Sequence, residues 1–210
     1  MKQLILVRHA ESEHHLKGLV GGWHDFGLSD LGHRQAQALA ARLQKELDTQ
    51  SCHLVCSDLE RSVQTATYIG QSLGVMPIPM AALREESAGV VEGMDQHEAR
   101  KQYIPPTEPL ADWVVYPGAE SRRQVYERVI PCLEQLCEAE HDLIVVVSHY
   151  VPIHLIICWW MGLDLEYRPM VFFEIEPASL SILHDEPWGG RTVTCTNDIA
   201  HLYATGLQTR

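Results

Sequence analysis

Two runs of consecutive aliphatic residues constrain the fold of this chain more than any other feature. Segments 3–7 and 143–147 contain LILV and LIVVV, without the polar alternation of a half-exposed strand. A strand that is apolar at successive positions is usually covered on both faces, as in the parallel sheets of α/β proteins. We therefore predict that both runs are strands of a mainly parallel central sheet.

Helical patterns alternate with these and further strand-like runs. The alternation predicts an α/β fold with a mainly parallel sheet and an antiparallel edge. The predicted helices are 29–47 with Ser29 as N-cap, 59–73 ended by Gly74, 121–140 with a kink at Pro131, and 152–162. The predicted shorter strands are 53–56, 192–195 and a hairpin of 171–175 with 179–183 around Pro177.

Segment 77–117 lacks such regular patterns. It contains six prolines and only one short helical pattern, near 95–103. A loop-rich stretch of this length inside a small domain is typical of a lid or a specificity insertion. We predict a single domain over 1–210 that carries this insertion, since 46% hydrophobic residues suffice for one core.

The charge and the apolar segments exclude several classes of protein. A formal net charge of -12 argues against nucleic acid as a partner, because phosphate backbones require clustered Lys and Arg. No charge-free apolar stretch reaches the roughly 18 residues of a membrane span, and the N-terminal apolar run is too short for a signal peptide. The six cysteines form no Cys-x-x-Cys pair, as expected of reduced thiols in a cytoplasmic protein.

Three predicted strands are followed directly by basic side chains. The first runs into Arg8 and His9, the second leads to Arg61 in the next helix, and the third ends at His149. Ligands of open α/β sheets bind beyond the carboxyl ends of the strands, so these residues are expected to converge. Such a cluster needs an anion, and guanidinium groups suit phosphate oxygens. The pattern predicts a phosphate pocket in which a neutral imidazole can attack phosphorus.

Several segments together resemble the histidine phosphatase superfamily, the phosphoglycerate mutase-like group, over nearly the whole chain. They are 6–12 (LVRHAES), 28–36 (LSDLGHRQA), 57–66 (SDLERSVQTA), 83–93 (LREESAGVVEG), 117–121 (PGAES) and 147–149 (VSH). The resemblance implies a three-layer α/β/α sandwich with a mostly parallel mixed sheet.

The resemblance also implies the roles of five residues. His9 is the expected nucleophile that forms a phosphohistidine, and Arg8, Arg61 and His149 are expected to bind the phosphoryl oxygens. Glu85 is the expected acid and base, which calls for a raised pKa. The resemblance implies no metal and no cofactor.

Four further positions are candidates for binding phosphate or substrate. Ser12 is expected either to donate to phosphate or to cap the next turn, and His15 stands where the family commonly has a phosphate-binding Asn. Tyr150 replaces the usual Gly after the last histidine. Trp23, beside paired glycines, is expected either to line the pocket or to pack in the core or an interface.

One further carboxylate and one pair of aromatic residues each have a structural alternative to a role in the site. Glu86 competes with Glu85 for the acid–base role and is otherwise expected to be an exposed, solvated carboxylate. Residues 159–160 (WW) are expected to pack in the core or contact a second copy in a homodimer.

The expected function is hydrolysis of a small-molecule phosphate monoester, with inorganic phosphate as a further ligand. The alternative is a cofactor-dependent phosphoglycerate mutase. Mutases of this family carry a basic stretch after the catalytic Glu, whereas segment 86–91 (ESAGVV) has no basic residue, which favours hydrolysis.

Overall fold

The computed structural model describes residues 2–47, 50–166 and 170–209, and its centre is a mixed six-stranded sheet. The strands are β1 (Gln3–Arg8), β2 (His53–Cys56), β3 (Ile78–Pro79), β4 (Leu143–Ser148), β5 (Leu180–Asp185) and β6 (Arg191–Asp198). Their order is β3-β2-β4-β1-β5-β6, with the first four parallel and β5 and β6 antiparallel to their neighbours. This confirms the predicted mainly parallel sheet with an antiparallel edge.

Helices cover both faces of the sheet, which makes the three-layer arrangement. They are α1 (Glu13–Lys17), α2 (Asp30–Leu47), α3 (Glu60–Leu73), α4 (Gln96–Ala99), α5 (Arg122–Glu138), α6 (Tyr150–Trp160) and α7 (Ala200–Thr205). Ile5 and Val7 of β1 pack with apolar residues of α2, α3 and α7, whereas Leu4 and Leu6 pack with those of α5 and α6. Because successive strand residues face opposite ways, both faces of β1 are buried, as its continuous apolar run predicts.

The strand register brings three strand ends to one edge of the sheet. Val7 of β1 lies opposite Val147 of β4, and Val147 lies opposite Cys56 of β2. The next residues continue the pairing, since the His9 N–H donates to the Ser148 carbonyl at 2.9 Å. The polar residues after all three strands therefore lie side by side.

The predicted helices are confirmed with small changes in their ends. Gly74 ends α3 in the left-handed conformation (φ 70°), and α5 continues through Pro131 without interruption. In the insertion, α4 lies within the short helix predicted near 95–103, and Asp95 is its N-cap. Strand β3 and helices α1 and α7 were not predicted. No helix in the described ranges is both long and apolar enough to cross a membrane.

The predicted hairpin around Pro177 is wrong. Segment 171–175 forms no strand, and the hairpin is instead β5 with β6, connected by residues 186–190. Ile175 packs against the α5 and α6 side of the core without pairing, and its carbonyl accepts a hydrogen bond from Arg8. Its apolar pattern therefore reflects burial and not sheet pairing.

Candidate active site

Four basic residues from the three strand ends form one buried cluster. His9 is 2% exposed, Arg61 1% and His149 fully buried. The rings of His9 and His149 lie 5.0 Å apart between centroids, in an edge-on arrangement. Arg8 is the last residue of β1, and burial lowers the pKa of its guanidinium. The predicted convergence of these residues is therefore present in the structure.

The hydrogen bonding of His9 leaves one ring nitrogen available. Its Nδ1 lies 2.7 Å from the Ala10 carbonyl oxygen, which can only accept, so Nδ1 carries the proton. Burial, assisted by the neighbouring His149 and Arg61, lowers the pKa of His9 well below its usual value. A neutral ring protonated on Nδ1 has its lone pair on Nε2, which is the form required of a nucleophile.

The two arginines are fixed by backbone carbonyls. Arg61 donates from Nη1 to His24 O at 3.0 Å and from Nη2 to Gly22 O at 2.8 Å, and Arg8 donates from Nη1 to Ile175 O at 2.6 Å. Burial lowers the pKa of Arg61 to about 10, so it stays cationic at neutral pH.

The same cluster contains buried polar atoms that lack partners. Within the described part of the chain, Nε of Arg8, Nε of Arg61 and both ring nitrogens of His149 make no hydrogen bond. A buried donor without a partner costs about 1–3 kcal/mol, so several at one point indicate a site built for an anionic ligand.

The Glu85 carboxylate lies at the N-terminus of α6 and is oriented by three backbone N–H groups, two from α6 and one from Glu86. Its Oε1 accepts from Glu86 N at 3.0 Å and Val151 N at 3.1 Å, and its Oε2 accepts from Tyr150 N at 3.1 Å. The segment that carries Glu85 is therefore tied to the same helix that follows His149.

Glu86 is not the exposed carboxylate expected from the sequence. Its side chain is 17% exposed and lies 3.4 Å from Nε of Arg122. Burial raises the pKa of Glu86 to about 7, against the opposing effect of Arg122. The expectation fails because the chain turns the second carboxylate inward, between α5 and the insertion.

His15 lies beside Arg8, with a donor near each of its ring nitrogens. Its Nδ1 lies 3.2 Å from the Ser12 backbone N–H, and its Nε2 lies 3.3 Å from Arg8 Nη2. Burial, reinforced by Arg8 and Arg61, lowers the pKa of His15 to about 3. A neutral imidazole thus occupies the position of the family's Asn amide.

Ser12 is the N-cap of α1 and is fully buried. Its Oγ lies 2.5 Å from Nδ1 of His14, a buried residue that the sequence did not single out. Burial, with a contribution from His15, lowers the pKa of His14 to about 2. Of the two expected roles of Ser12, the N-cap position at the start of α1 is observed, and donation to phosphate stays a prediction.

Trp23 and Tyr150 lie next to the basic cluster, Trp23 against the Glu85 segment and Tyr150 near Arg8. The Trp23 indole donates to the Glu85 carbonyl at 2.7 Å, and its ring faces the guanidinium of Arg84 at 5.1 Å. The Tyr150 ring lies 5.8 Å from Cζ of Arg8. Trp23 therefore packs against the segment that carries Glu85, and lining of the substrate pocket stays a prediction. The pair at 159–160 packs on the α5 and α6 side of the core, stacked with Arg191.

Arg128 and Glu120 support the Glu85 segment, and the sequence analysis missed the role of Arg128. Arg128 donates to the carbonyls of Arg84 and Glu85 at 2.8 Å and pairs with the Glu120 carboxylate at 2.9 Å. Glu120 also accepts from the Ser87 N–H at 2.8 Å. The PGAES segment was a signal for Glu120, but Arg128 lies in helix α5 outside every motif, so the sequence carried no signal for it.

Arg8 and Arg61 supply the positive charge of the cluster, since burial lowers the pKa values of His9 and His149 well below the usual value. In the described ranges, no group of three or more His, Cys, Asp or Glu is arranged to hold a metal ion.

The fold and the site define a class of α/β protein with a histidine and two arginines at the carboxyl edge of the sheet. Residues 4–198 match the histidine phosphatase superfamily (branch 1), and the chain belongs to that superfamily.

Individual relatives are similar over most of the chain. Phosphoserine phosphatase 1 of Hydrogenobacter thermophilus is 35% identical over 89% of this chain and 88% of its own length. A 2,3-bisphosphoglycerate-dependent phosphoglycerate mutase of Chelativorans sp. is 37% identical over 61% of this chain and 65% of its own length. The native structure of a mycobacterial glucosyl-3-phosphoglycerate phosphatase has a TM-score of 0.80 at 25% identity, covering 93% of this chain and 98% of that one.

Proposed function

We propose that this protein is a metal-independent phosphomonoesterase that hydrolyses small-molecule phosphate esters through a phosphohistidine on His9. One observation carries the proposal: the Nε2 lone pair of a neutral His9 lies in a buried cluster of unpartnered donors from Arg8, Arg61 and His149. A buried nucleophile among cationic donors suits a phosphoryl group, whose three oxygens retain negative charge throughout transfer.

The first step forms the N–P bond and breaks the ester P–O bond. His9 Nε2 attacks phosphorus, and the protonated Glu85 gives its proton to the departing alkoxide. Arg8 and Arg61 offset the charge of the phosphoryl oxygens, and the neutral rings of His149 and His15 each donate an N–H to them. The products are an alcohol and a phosphorylated His9 with Glu85 ionised.

The second step uses water. The Glu85 carboxylate takes a proton from water, whose oxygen attacks phosphorus while the P–N bond breaks. Inorganic phosphate leaves, and His9 and protonated Glu85 return to their starting states. The division into two displacements replaces one difficult step by two easier ones.

Two findings support hydrolysis. Relatives of the chain are phosphatases, and no basic stretch follows Glu85. The relative that is a phosphoglycerate mutase keeps the alternative in view, since mutase and phosphatase share the first step. Incubation with 3-phosphoglycerate, with and without 2,3-bisphosphoglycerate, separates them. We expect phosphate release; accumulation of 2-phosphoglycerate without phosphate release would instead indicate a mutase.

The nucleophile is tested with p-nitrophenyl phosphate. We expect His9→Ala to abolish turnover, whereas the control His141→Ala, at an exposed position away from the cluster, retains it. Retained turnover in His9→Ala would contradict the proposal. Activity in EDTA should equal that without it, and a loss that zinc restores would overturn the metal-independent part.

A further inference from the structure

A cavity of about 430 Å³ adjoins the phosphate cluster and shares Arg8 and His15 with it. Its far side is formed by the insertion, which contributes Gln96, Arg100 and Tyr116. The volume is in the range of small-molecule sites. An ester whose phosphate lies in the cluster would place its alcohol part in this cavity, so these residues are placed to select the alcohol.

Arg100 differs from most other arginines of the chain in its lack of a partner. Arg42, Arg84, Arg122, Arg123 and Arg128 each pair with a carboxylate, and the adjacent Lys101 pairs with Glu98. In residues 2–47, 50–166 and 170–209, the Arg100 side chain makes no ion pair or hydrogen bond, although the net charge of the chain is -12. An unpaired guanidinium in a substrate cavity is suited to a carboxylate or phosphate, which it can bind through two hydrogen bonds.

The cavity has no opposing negative charge. None of its described lining residues is Asp or Glu. The carboxylates of Glu13 and Asp30 line a different cavity, on the other side of His15. An ammonium group in the first cavity would therefore meet Arg8 and Arg100 and no counter-ion.

Resting on the proposed function, we propose that the substrate is a phosphate ester whose alcohol part carries a second anion and no ammonium group. Arg100 binds that second anion, a carboxylate or a second phosphate, with Gln96 and Tyr116 as neutral hydrogen-bonding neighbours. Zwitterionic alcohols such as serine are disfavoured. The preferred substrate class therefore differs from the one named for the phosphoserine phosphatase relative.

Four related esters test the preference of the wild-type protein. 3-Phosphoglycerate differs from glycerol 3-phosphate by a carboxylate, and from phosphoserine by a hydroxyl in place of the ammonium. We expect kcat/KM to be highest for 3-phosphoglycerate or for 1,3-propanediol bisphosphate, and the better of the two identifies the second anion as carboxylate or phosphate. Equal or higher kcat/KM for phosphoserine or glycerol 3-phosphate would overturn the inference.

Arg100→Met tests the residue. We compare kcat/KM for the preferred ester, which carries a second anion, with kcat/KM for glycerol 3-phosphate. Their ratio should fall on the order of ten- to a hundredfold, as for a lost hydrogen bond between charged groups. Arg100→Lys should retain part of the ratio. Arg34→Met removes the same charge from the neighbouring cavity and should leave the ratio unchanged. An unchanged ratio in Arg100→Met would overturn the inference.

A binding measurement separates this inference from the proposed function. Calorimetry with His9→Ala, which cannot turn over, should show tighter binding of 3-phosphoglycerate or the bisphosphate than of glycerol 3-phosphate, and the difference should be lost in His9→Ala/Arg100→Met. If the wild type hydrolyses none of the esters, the proposed function fails, and this binding difference still decides the role of Arg100. Hydrolysis without any preference would leave the proposed function standing and overturn the inference.

Discussion

At the scale of single residues, the proposed acid–base group is distinguished from its neighbour by what each contacts. Glu85 accepts from two backbone N–H groups at the start of α6, beside His149, and from the N–H of Glu86, whereas the Glu86 side chain points toward Arg122. The fixed orientation of Glu85 suits a group that hands a proton to a leaving alkoxide and later accepts one from water.

Glu85→Gln should therefore depend on the leaving group. A good leaving group needs no proton, so p-nitrophenyl phosphate turnover should fall at least tenfold less than that of an alkyl ester, for which a loss of about 10²–10⁴ is expected. Kinetics with a series of phenyl and alkyl phosphates measure this. Glu86→Gln is the matched control, with no dependence on the leaving group. Equal losses for all esters in Glu85→Gln would remove Glu85 as the acid.

His15 should be replaceable by the amide of the family pattern. His15→Asn keeps an N–H donor, so the inhibition constant of inorganic phosphate should stay within about threefold. His15→Leu loses the donor and should weaken phosphate inhibition by about tenfold or more, the scale of a hydrogen bond to an anion. Equal inhibition constants for the two variants would contradict a donor role.

The four clustered basic residues could be found from the sequence because each lies at or shortly after a strand end. Arg8, His9, Arg61 and His149 adjoin apolar runs whose register brings them together. Arg100 and Arg128 could not be found in this way, since their importance depends on which carbonyls and cavities the insertion brings near them. The inward orientation of Glu86 likewise depends on packing that a local pattern does not contain.

At the scale of elements, the LSDLGHRQA segment fixes the loop after β1. Ser29 Oγ donates to Glu11 Oε1 at 2.7 Å and accepts from Gly32 N at 2.9 Å, while the Glu11 N–H donates to Gln35 at 2.9 Å. The start of α2 and the loop that carries His9 therefore hold each other in place. The glycine is required because a Cβ at position 32 would overlap the Glu11 carbonyl oxygen.

Gly32→Ala should lower the free energy of unfolding, although helix propensity alone predicts that it raises it. Alanine in a helix normally gains about 1 kcal/mol over glycine, but displacement of Glu11 should instead cost about 1–3 kcal/mol in the free energy of unfolding. Urea unfolding measures the change. Gln37→Ala, at an exposed position of the same helix, should change it by less than about 0.5 kcal/mol. A stabilised Gly32→Ala variant would contradict the close contact.

The sequence predicted which segments form strands and helices better than it predicted which strands pair. Segment 171–175 resembles a strand because Val171, Phe173 and Ile175 alternate with other residues, yet it packs without a partner. Strand β3 was missed because Ile78–Pro79 is too short to show a pattern. Periodicity reports burial, whereas pairing depends on where the chain returns to the sheet.

At the scale of the whole molecule, the described residues include several buried histidines, most of them in the site, that stay neutral when the chain is folded. Burial is the main cause that lowers the pKa of His14 to about 2, His15 to about 3 and His201 to about 4, and that of His9 and His149 well below the usual value. Unfolded histidines take up protons near pH 6.5, so below that pH the unfolded state binds more protons than the folded state.

The free energy of unfolding should therefore fall as pH decreases from about 6.5 to 5. Each buried histidine contributes a slope of up to about 1.4 kcal/mol per pH unit. Urea unfolding at several pH values measures the slope. His14→Gln should lower this slope by up to about 1.4 kcal/mol per pH unit, the contribution of one histidine. His97→Gln, at an exposed position, should leave the slope unchanged. A slope unchanged in His14→Gln would show that His14 is protonated in the folded state.

The most direct test of the central claim is trapping of the phosphoenzyme. The protein is mixed with a ³²P-labelled ester, quenched within milliseconds, and digested to locate the label. We expect a label on His9 that is lost in acid and stable in base, as for a phosphoramidate, and that is absent in His9→Ala. A wild-type protein that turns over ester under these conditions without labelling His9 would contradict the mechanism and indicate direct attack by water.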